Sequence, residues 1–524
     1  MKLRLNALSC VIVAAALISG MSCRSEAQTI DEGAILKLGV LTRTSTLDPH
    51  ASTLSTQPVH NSAWERLLRI NTKGEVAPFL AREWAWSEDG SSLTLKLVEG
   101  ASFNDGSPVT AAAVVASIER ARTHKDSRVG SKFAEVESVV AEGDHIVRFN
   151  LSAGGADLLW TLADVAGSVI NPACIEKDTD LTMAPAECTS SVMVLTEGTP
   201  NGIWKLRKSD RPYWDENAFR FAGIDFIPVG ENEVVLNAML TGDIDTAQLM
   251  GEGLARAETL INDGKLNGKP FTSEATRSLS LFLNPRVPPF DDSKLRHAVR
   301  AAIDPALLSQ ALFEGFCAPA NQPLPAASWA ANPQLEEVKS YDPEAVKRLL
   351  AEAGKPNGFE FTVFFQNTAA FNMAGQVIQA MLSDYGISMV LKPVQAGTVP
   401  EMIEGTASAV ISTSSGTLSP FTLMDIYTNL GSRRAAVVKG SPIEGKVAAL
   451  VDQANNPALS RKEQGAIWAE VWQAIYDEAL TLTICQFREF WPTTLRLSST
   501  EAGNQEGPIW APGFEVRYLT IAGD

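Results

Sequence analysis

Cysteine, histidine and tyrosine are scarce in this chain of 524 residues, with six, five and six copies respectively. No two cysteines form a CxxC pair and no histidines gather near them, so the sequence offers no ligand set for zinc. His50 and His297 each stand alone, which reads as an ordinary surface or capped imidazole. The patterns GxSxG and HExxH are missing, and no pair of carboxylates stands out as acid and base. Positive charge is also in deficit: 44 Lys and Arg against 61 Asp and Glu leave a net charge of −17. Such a chain is a poor partner for nucleic acid or an anionic membrane.

Long apolar runs are missing after the N-terminus, so no later segment reaches the ~18 residues of a membrane helix and a soluble mature protein is expected. The one run, Ala7 to Ile18, follows Lys2 and Arg4 and precedes Ser25-Glu26-Ala27. This order is that of a secretory signal peptide, here residues 1–27. Cys23 offers lipid attachment as the alternative to free secretion, but Gly20-Met21-Ser22 before it is a poor lipoprotein signal. Cleavage removes Lys2, Arg4 and Arg24 against Glu26, which takes the net charge from −17 to −19. The remaining 497 residues are enough for two large lobes or three units.

Four cysteines survive cleavage. Cys174 and Cys188 flank a short loop and are the disulfide candidate; a bridge there would contribute about 3 kcal/mol, and two buried thiols are the alternative. Cys317 and Cys485 are too far apart in sequence for spacing to argue a pair.

What is present is a mixed α and β pattern. Asn104-Asp105-Gly106-Ser107-Pro108 is turn chemistry between an alternating strand, Ser92 to Leu97, and a helix capped by Thr110 with Val114, Val115 and Ile118 on its apolar face. Ile35 to Val40 reads as a first strand. Val59 to Leu68 reads as a helix with Trp64 and Leu67 on one side and Glu65 and Arg66 on the other. A strand at Ile224–Pro228, a helix at Glu231–Leu240 and a strand opened by Asp243-Ile244-Asp245 make a parallel βαβ unit. Ser278 to Asn284 is a strand, followed by helices at 293–303, 305–313 and 342–353, a strand at 359–365, a helix at 371–385 and a strand at 387–391.

These pieces, in this order, resemble the family 5 extracellular solute-binding proteins of bacterial ABC importers. The carriers are Thr46-Leu47-Asp48-Pro49-His50, Trp64-Glu65-Arg66-Leu67, Pro78-Phe79-Leu80-Ala81, Phe103 through Arg120, Pro212-Tyr213-Trp214, Gly242-Asp243-Ile244-Asp245, Leu283-Asn284, Pro288-Pro289-Phe290-Asp291-Asp292, Arg296-His297-Ala298-Val299 and Tyr341-Asp342-Pro343. The resemblance implies an α/β periplasmic binding protein of two lobes, the first enlarged, joined by a hinge with the ligand cleft between them. Carried onto this chain, lobe one holds residues 28–60, 195–277 and 485–524, its inserted subdomain 61–194, and lobe two 278–484. It further implies a periplasmic monomer that is not an enzyme, takes no cofactor and hands a peptide or other small polar solute to permease subunits. A secreted hydrolase, or a sensor or chaperone on the same fold, is the alternative.

Ligand contacts are expected from loops facing the cleft. In lobe one these are Arg43, Thr44 and Thr46. At the crossing Arg277 can hold a carboxylate by a bidentate pair. In lobe two Gln366, Asn367 and Phe371 follow a strand. The stretch Ser412-Thr413-Ser414-Ser415 stands where peptide-binding members tend to carry a Trp and an Asp that pairs with the peptide amine. A buried ammonium without a countercharge costs several kcal/mol, roughly, so these hydroxyls favour a neutral, hydroxyl-rich or anionic solute, with Arg433 nearby for a carboxylate. Asp425 is the alternative partner for an amine.

Overall fold

The first strand, Ile35–Val40, pairs in parallel with Gly223–Pro228 along its whole length and with Thr246–Ala247 at Leu38 and Gly39. The expected βαβ unit therefore exists with the first strand lying between its two strands. Its crossover helix, Asn232–Thr241, ends on Gly242 in the left-handed conformation. Trp204–Lys208 and Met193–Gly198 extend this sheet antiparallel on the other side. Leu36, Leu38, Trp64, Trp204, Phe226, Leu519 and Ile521 form its core, so the C-terminal segment packs beside the first strand.

The computed structural model describes residues 29–41, 43–52, 57–71, 75–152, 154–249, 253–394, 405–415, 419–429, 436–500, 509–510 and 513–523. The expected leader 1–27, with Cys23, and Arg433 lie outside these residues, and so does the side chain of Ser415.

A second sheet is antiparallel, in the order Ala81–Trp86, Ser92–Leu97, Ile146–Leu151, Val136–Glu142. The helix Ala111–Thr123 covers it, with the Thr110 side chain accepting from Ala113 N at its start. Val114 and Ile118 are buried against the sheet and Val115 is half-buried. Asp105 accepts from Ser107 N at 2.9 Å and Gly106 has φ +88°, a left-handed turn position that suits glycine.

The helix expected over Val59–Leu68 is shorter: Gln57–Ala63. Beyond it the backbone is claimed by distant partners, with Glu65 N donating to Ser190 Oγ at 2.9 Å and Leu67 N to Gly167 O at 3.0 Å. Trp64, Glu65, Arg66 and Leu67 are all buried, so no polar side exists. Glu65 accepts from Arg517 Nη2 at 3.0 and 3.1 Å, and Arg66 pairs with Glu515 at 2.8 Å. Charged residues reach the interior here because each finds an opposite charge from the C-terminal segment.

The third sheet runs Ala318–Pro319, Thr481–Trp491, Phe271–Leu283, Ala409–Ser415, Glu360–Gln366, Ser388–Val394. Phe271–Leu283 starts well before the expected Ser278 and pairs antiparallel with Thr481–Trp491. At one end of this pair Phe271 and Trp491 pack with the core of the first sheet; at the other Leu279, Leu281 and Phe487 join the core of the third. Two adjacent strands thus make the crossing between these cores. Leu249 N donates to Phe490 O at 2.9 Å and Thr246 Oγ1 to Pro492 O at 2.7 Å, which ties the far end to the first sheet.

Cys174 and Cys188 are bonded, with Cα atoms 5.7 Å apart. Cys317 and Cys485 are bonded too, at 5.4 Å, although their separation in sequence gave no argument for it. The reason is tertiary: Ala318–Pro319 forms an edge strand against Gln486 and Cys485.

Candidate functional site

Strand polarity decides where the loops of interest lie. Glu360–Gln366 and Ala409–Ser415 are parallel, so both end on the same side of the third sheet. Phe271–Leu283 is antiparallel to Ala409–Ser415, which places Arg277 opposite Ser415, Ser278 opposite Ser414 and Ser280 opposite Ser412. Arg277, Ser412, Thr413, Ser414, Ser415, Gln366 and Asn367 therefore gather at one end, the C-terminal end of the parallel strands. In the first sheet the chain leaves Ile35–Val40 into Arg43–Thr46 at the C-terminal ends of its own three parallel strands. Ligands in α/β sheets bind at such ends. The crossing strands join one end to the other.

Within this frame the candidate side chains differ in what they have left to offer. Arg277, Ser412 and Thr413 are each half-buried. Strand alternation puts Ser412 and Ser414 on the face of Ser278 and Ser280, and Thr413 on the other. Ser414 is buried, its carbonyl accepts from Ser278 Oγ at 3.5 Å, and its own hydroxyl has no partner. Ser280 Oγ donates to Thr483 Oγ1 at 3.4 Å. Gln366 and Asn367 are exposed, and Asn367 accepts from Asn372 at 2.9 Å. Phe371 is half-buried against the core below the third sheet.

On the other side Arg43 is exposed and donates to Asn201 O at 3.3 Å. Thr46 Oγ1 accepts from Asp48 N at 3.1 Å, so it serves its own turn. Thr44 is buried; its carbonyl accepts from the Trp204 indole at 3.2 Å while its hydroxyl is unpartnered. Asn61 lies on the helix Gln57–Ala63, which packs against the strand beginning at Trp204. It is buried with neither amide oxygen nor nitrogen hydrogen-bonded. Buried polar atoms are almost always paired, so orphaned ones mark places where a ligand or water completes the structure. No sequence signal distinguishes Asn61, which sits in an ordinary helical stretch.

The loop that carries Arg43, Thr44 and Thr46 is braced by charge. Arg120 binds both Asp48 oxygens, at 3.0 and 2.6 Å, and meets His50 Nδ1 at 3.1 Å. Burial pushes the Asp48 carboxyl up, but the hydrogen bond and charge of Arg120 outweigh it and hold the group below its usual range. Burial, then the Arg120 charge, pulls His50 down to about 3, so the ring is neutral. Rather than a surface histidine, His50 is a fully buried one. Among the described residues no group of three or more His, Cys, Asp or Glu is placed to hold a metal ion.

Residues 75–435 match the family described as bacterial extracellular solute-binding proteins, family 5 Middle. The glutathione-binding protein GsiB of Escherichia coli K12 is 27% identical over 365 residues, covering 69% of this chain and 70% of GsiB. The periplasmic binding protein DppA of Helicobacter pylori, solved with the peptide STSA, superposes with a TM-score of 0.76 at 19% identity, over 94% of this chain and 98% of DppA. AgaA of A. tumefaciens R10, solved with agropinic acid, gives 0.75 at 20% identity, over 94% and 99%. The α/β architecture is thus that of two-lobed periplasmic binding proteins. The match spans well over half of the sequence, and the chain belongs to the bacterial extracellular solute-binding proteins of family 5.

Proposed function

We propose that this protein is the periplasmic solute-capturing subunit of an ABC importer, exported by residues 1–27, and that its cargo is a small peptide-like solute carrying a carboxylate. Lobe one and its inserted subdomain would be residues 28–60, 61–194, 195–277 and 485–524, and lobe two 278–484. The observation that carries the reading is Arg277 on the same face as Thr413 at the C-terminal end of the parallel strands of the third sheet, beside the strands that cross to the first. A guanidinium beside a hydroxyl suits a carboxylate. GsiB, the glutathione-binding relative, supports a small acidic peptide conjugate as cargo.

Closing two lobes on such a solute buries it and leaves a few polar groups to fix its orientation. From lobe one, Asn61 and Thr44 would supply hydrogen bonds that no protein atom now takes. Titration calorimetry with glutathione, tripeptides and opines against the purified protein is the test. Micromolar or tighter binding without turnover is expected, together with a loss on Arg277→Ala that is greater for acidic than for neutral ligands. Product formation would refute the binding-protein reading, and equal losses for both ligand classes would remove the carboxylate assignment.

A further inference from the structure

The unit of the antiparallel sheet touches the unit of the third sheet through a few side chains. Asn455, at the end of the helix Glu444–Ala454, accepts from Gly155 N at 3.1 Å and Ala156 N at 3.0 Å, and its amide donates to Glu135 at 2.9 Å. Ser419, which caps the helix Pro420–Thr428, donates to Asp157 Oδ1. Trp329 packs on the cores of both units, and Arg461 lies 4.3 Å over its ring. The fit is close: a Cβ on Gly154, at φ +55°, would come within 2.3 Å of Asn455 Nδ2.

We infer that the Asn455 and Asp157–Ser419 contacts are a latch that holds the antiparallel subdomain against the second lobe, and that proton uptake by Asp157 favours its closure. Asp157 is faced by Ser419 from the helix it meets, by Lys132 and Glu135 from the segment before Val136–Glu142, and by Asp164 from the end of Leu158–Ala163; Asp425 adds a further acid near Lys132. Lys132 is held by Asp164 at 2.5 Å. Burial raises Asp157 from its ordinary 3.8 to about 7, against the opposing pull of Ser419 and Lys132. The closed form therefore binds the proton more tightly than an open form in which the carboxyl is wet. Closure is undiminished below the ordinary carboxylate range, weakens by up to about tenfold per pH unit as pH rises through the window, and levels off above about 7.

Small-angle X-ray scattering of the unliganded protein between pH 4.5 and 8 tests this without any solute, so its outcome is separate from that of the transport reading. A compact chain of this length has a radius of gyration of about 23 Å. The wild type is expected to lengthen from near that value as pH rises. Asn455→Ala lengthens it at every pH, and Asp157→Asn stays compact throughout. Circular dichroism confirms that each variant folds, and Asn455→Ser replaces any that does not. Dimensions of Asn455→Ala equal to the wild type, or a wild-type pH profile in Asp157→Asn, would overturn the latch.

Discussion

Removing the guanidinium of Arg517 tests the account of the buried charges most sharply. Arg517 is 0% exposed and Glu65 1%. The guanidinium donates to both Glu65 oxygens and to the Tyr213 hydroxyl, and lies 4.5 Å over the Phe79 ring and 4.8 Å over that of Phe219. Arg517→Met keeps most of the side-chain volume but leaves the Glu65 carboxylate inside with, among the described residues, only Tyr213 as a side-chain donor. Breaking one side of a buried pair costs about 3–5 kcal/mol. For a chain of 524 residues unfolding as one, that lowers Tm by roughly 3–5 °C, which differential scanning fluorimetry reads directly. The double variant Glu65→Gln with Arg517→Met removes the stranded charge and should recover part of the loss, giving a coupling energy of about 1–3 kcal/mol in the cycle. A drop below about 1 kcal/mol for Arg517→Met would refute the reasoning, since it would mean the carboxylate finds water or another donor.

Replacing Cys317 and Cys485 together by Ser should destabilise the protein more than replacing Cys174 and Cys188, by loop-closure entropies of about 5 against about 3 kcal/mol; chemical denaturation of the two double variants would show the order. On the acid side, His50 is neutral in the fold and protonates freely when unfolded. Stability should therefore fall as pH drops from 6.5 to about 3, by up to about 1.4 kcal/mol per unit, and His50→Gln should flatten that slope in denaturant titrations. Asn61→Ala should leave the unfolding free energy within about 1 kcal/mol of wild type, because its amide has no protein partner to lose, while weakening solute binding severalfold in calorimetry.

Local order was legible where neighbouring residues decide it. The Ser92–Leu97 strand, the Asp105-Gly106 turn and the Thr110 cap depend on alternation, positive φ and a hydroxyl within a few residues, and the fold follows them. Legibility failed at Trp64–Leu67, where helical periodicity predicted a polar face. The deciding partners there, Ser190, Gly167, Glu515 and Arg517, come from three distant stretches of chain. The site divides in the same way. That Arg277 lies at a crossing and that Ser412–Ser415 is rich in hydroxyls was visible in the sequence, but not that Phe271–Leu283 and Ala409–Ser415 run antiparallel and so set them on neighbouring strands.

Composition and the ordered motifs determined by themselves an acidic, mixed α/β chain of the solute-binding kind, because these are properties of residue type and short-range spacing. Only the tertiary structure decided which hydroxyls are spent in the interior, which cysteines at long separation meet, and which polar atoms remain unpaired. Those outcomes depend on strand direction and register between segments hundreds of residues apart, and no local pattern encodes that pairing.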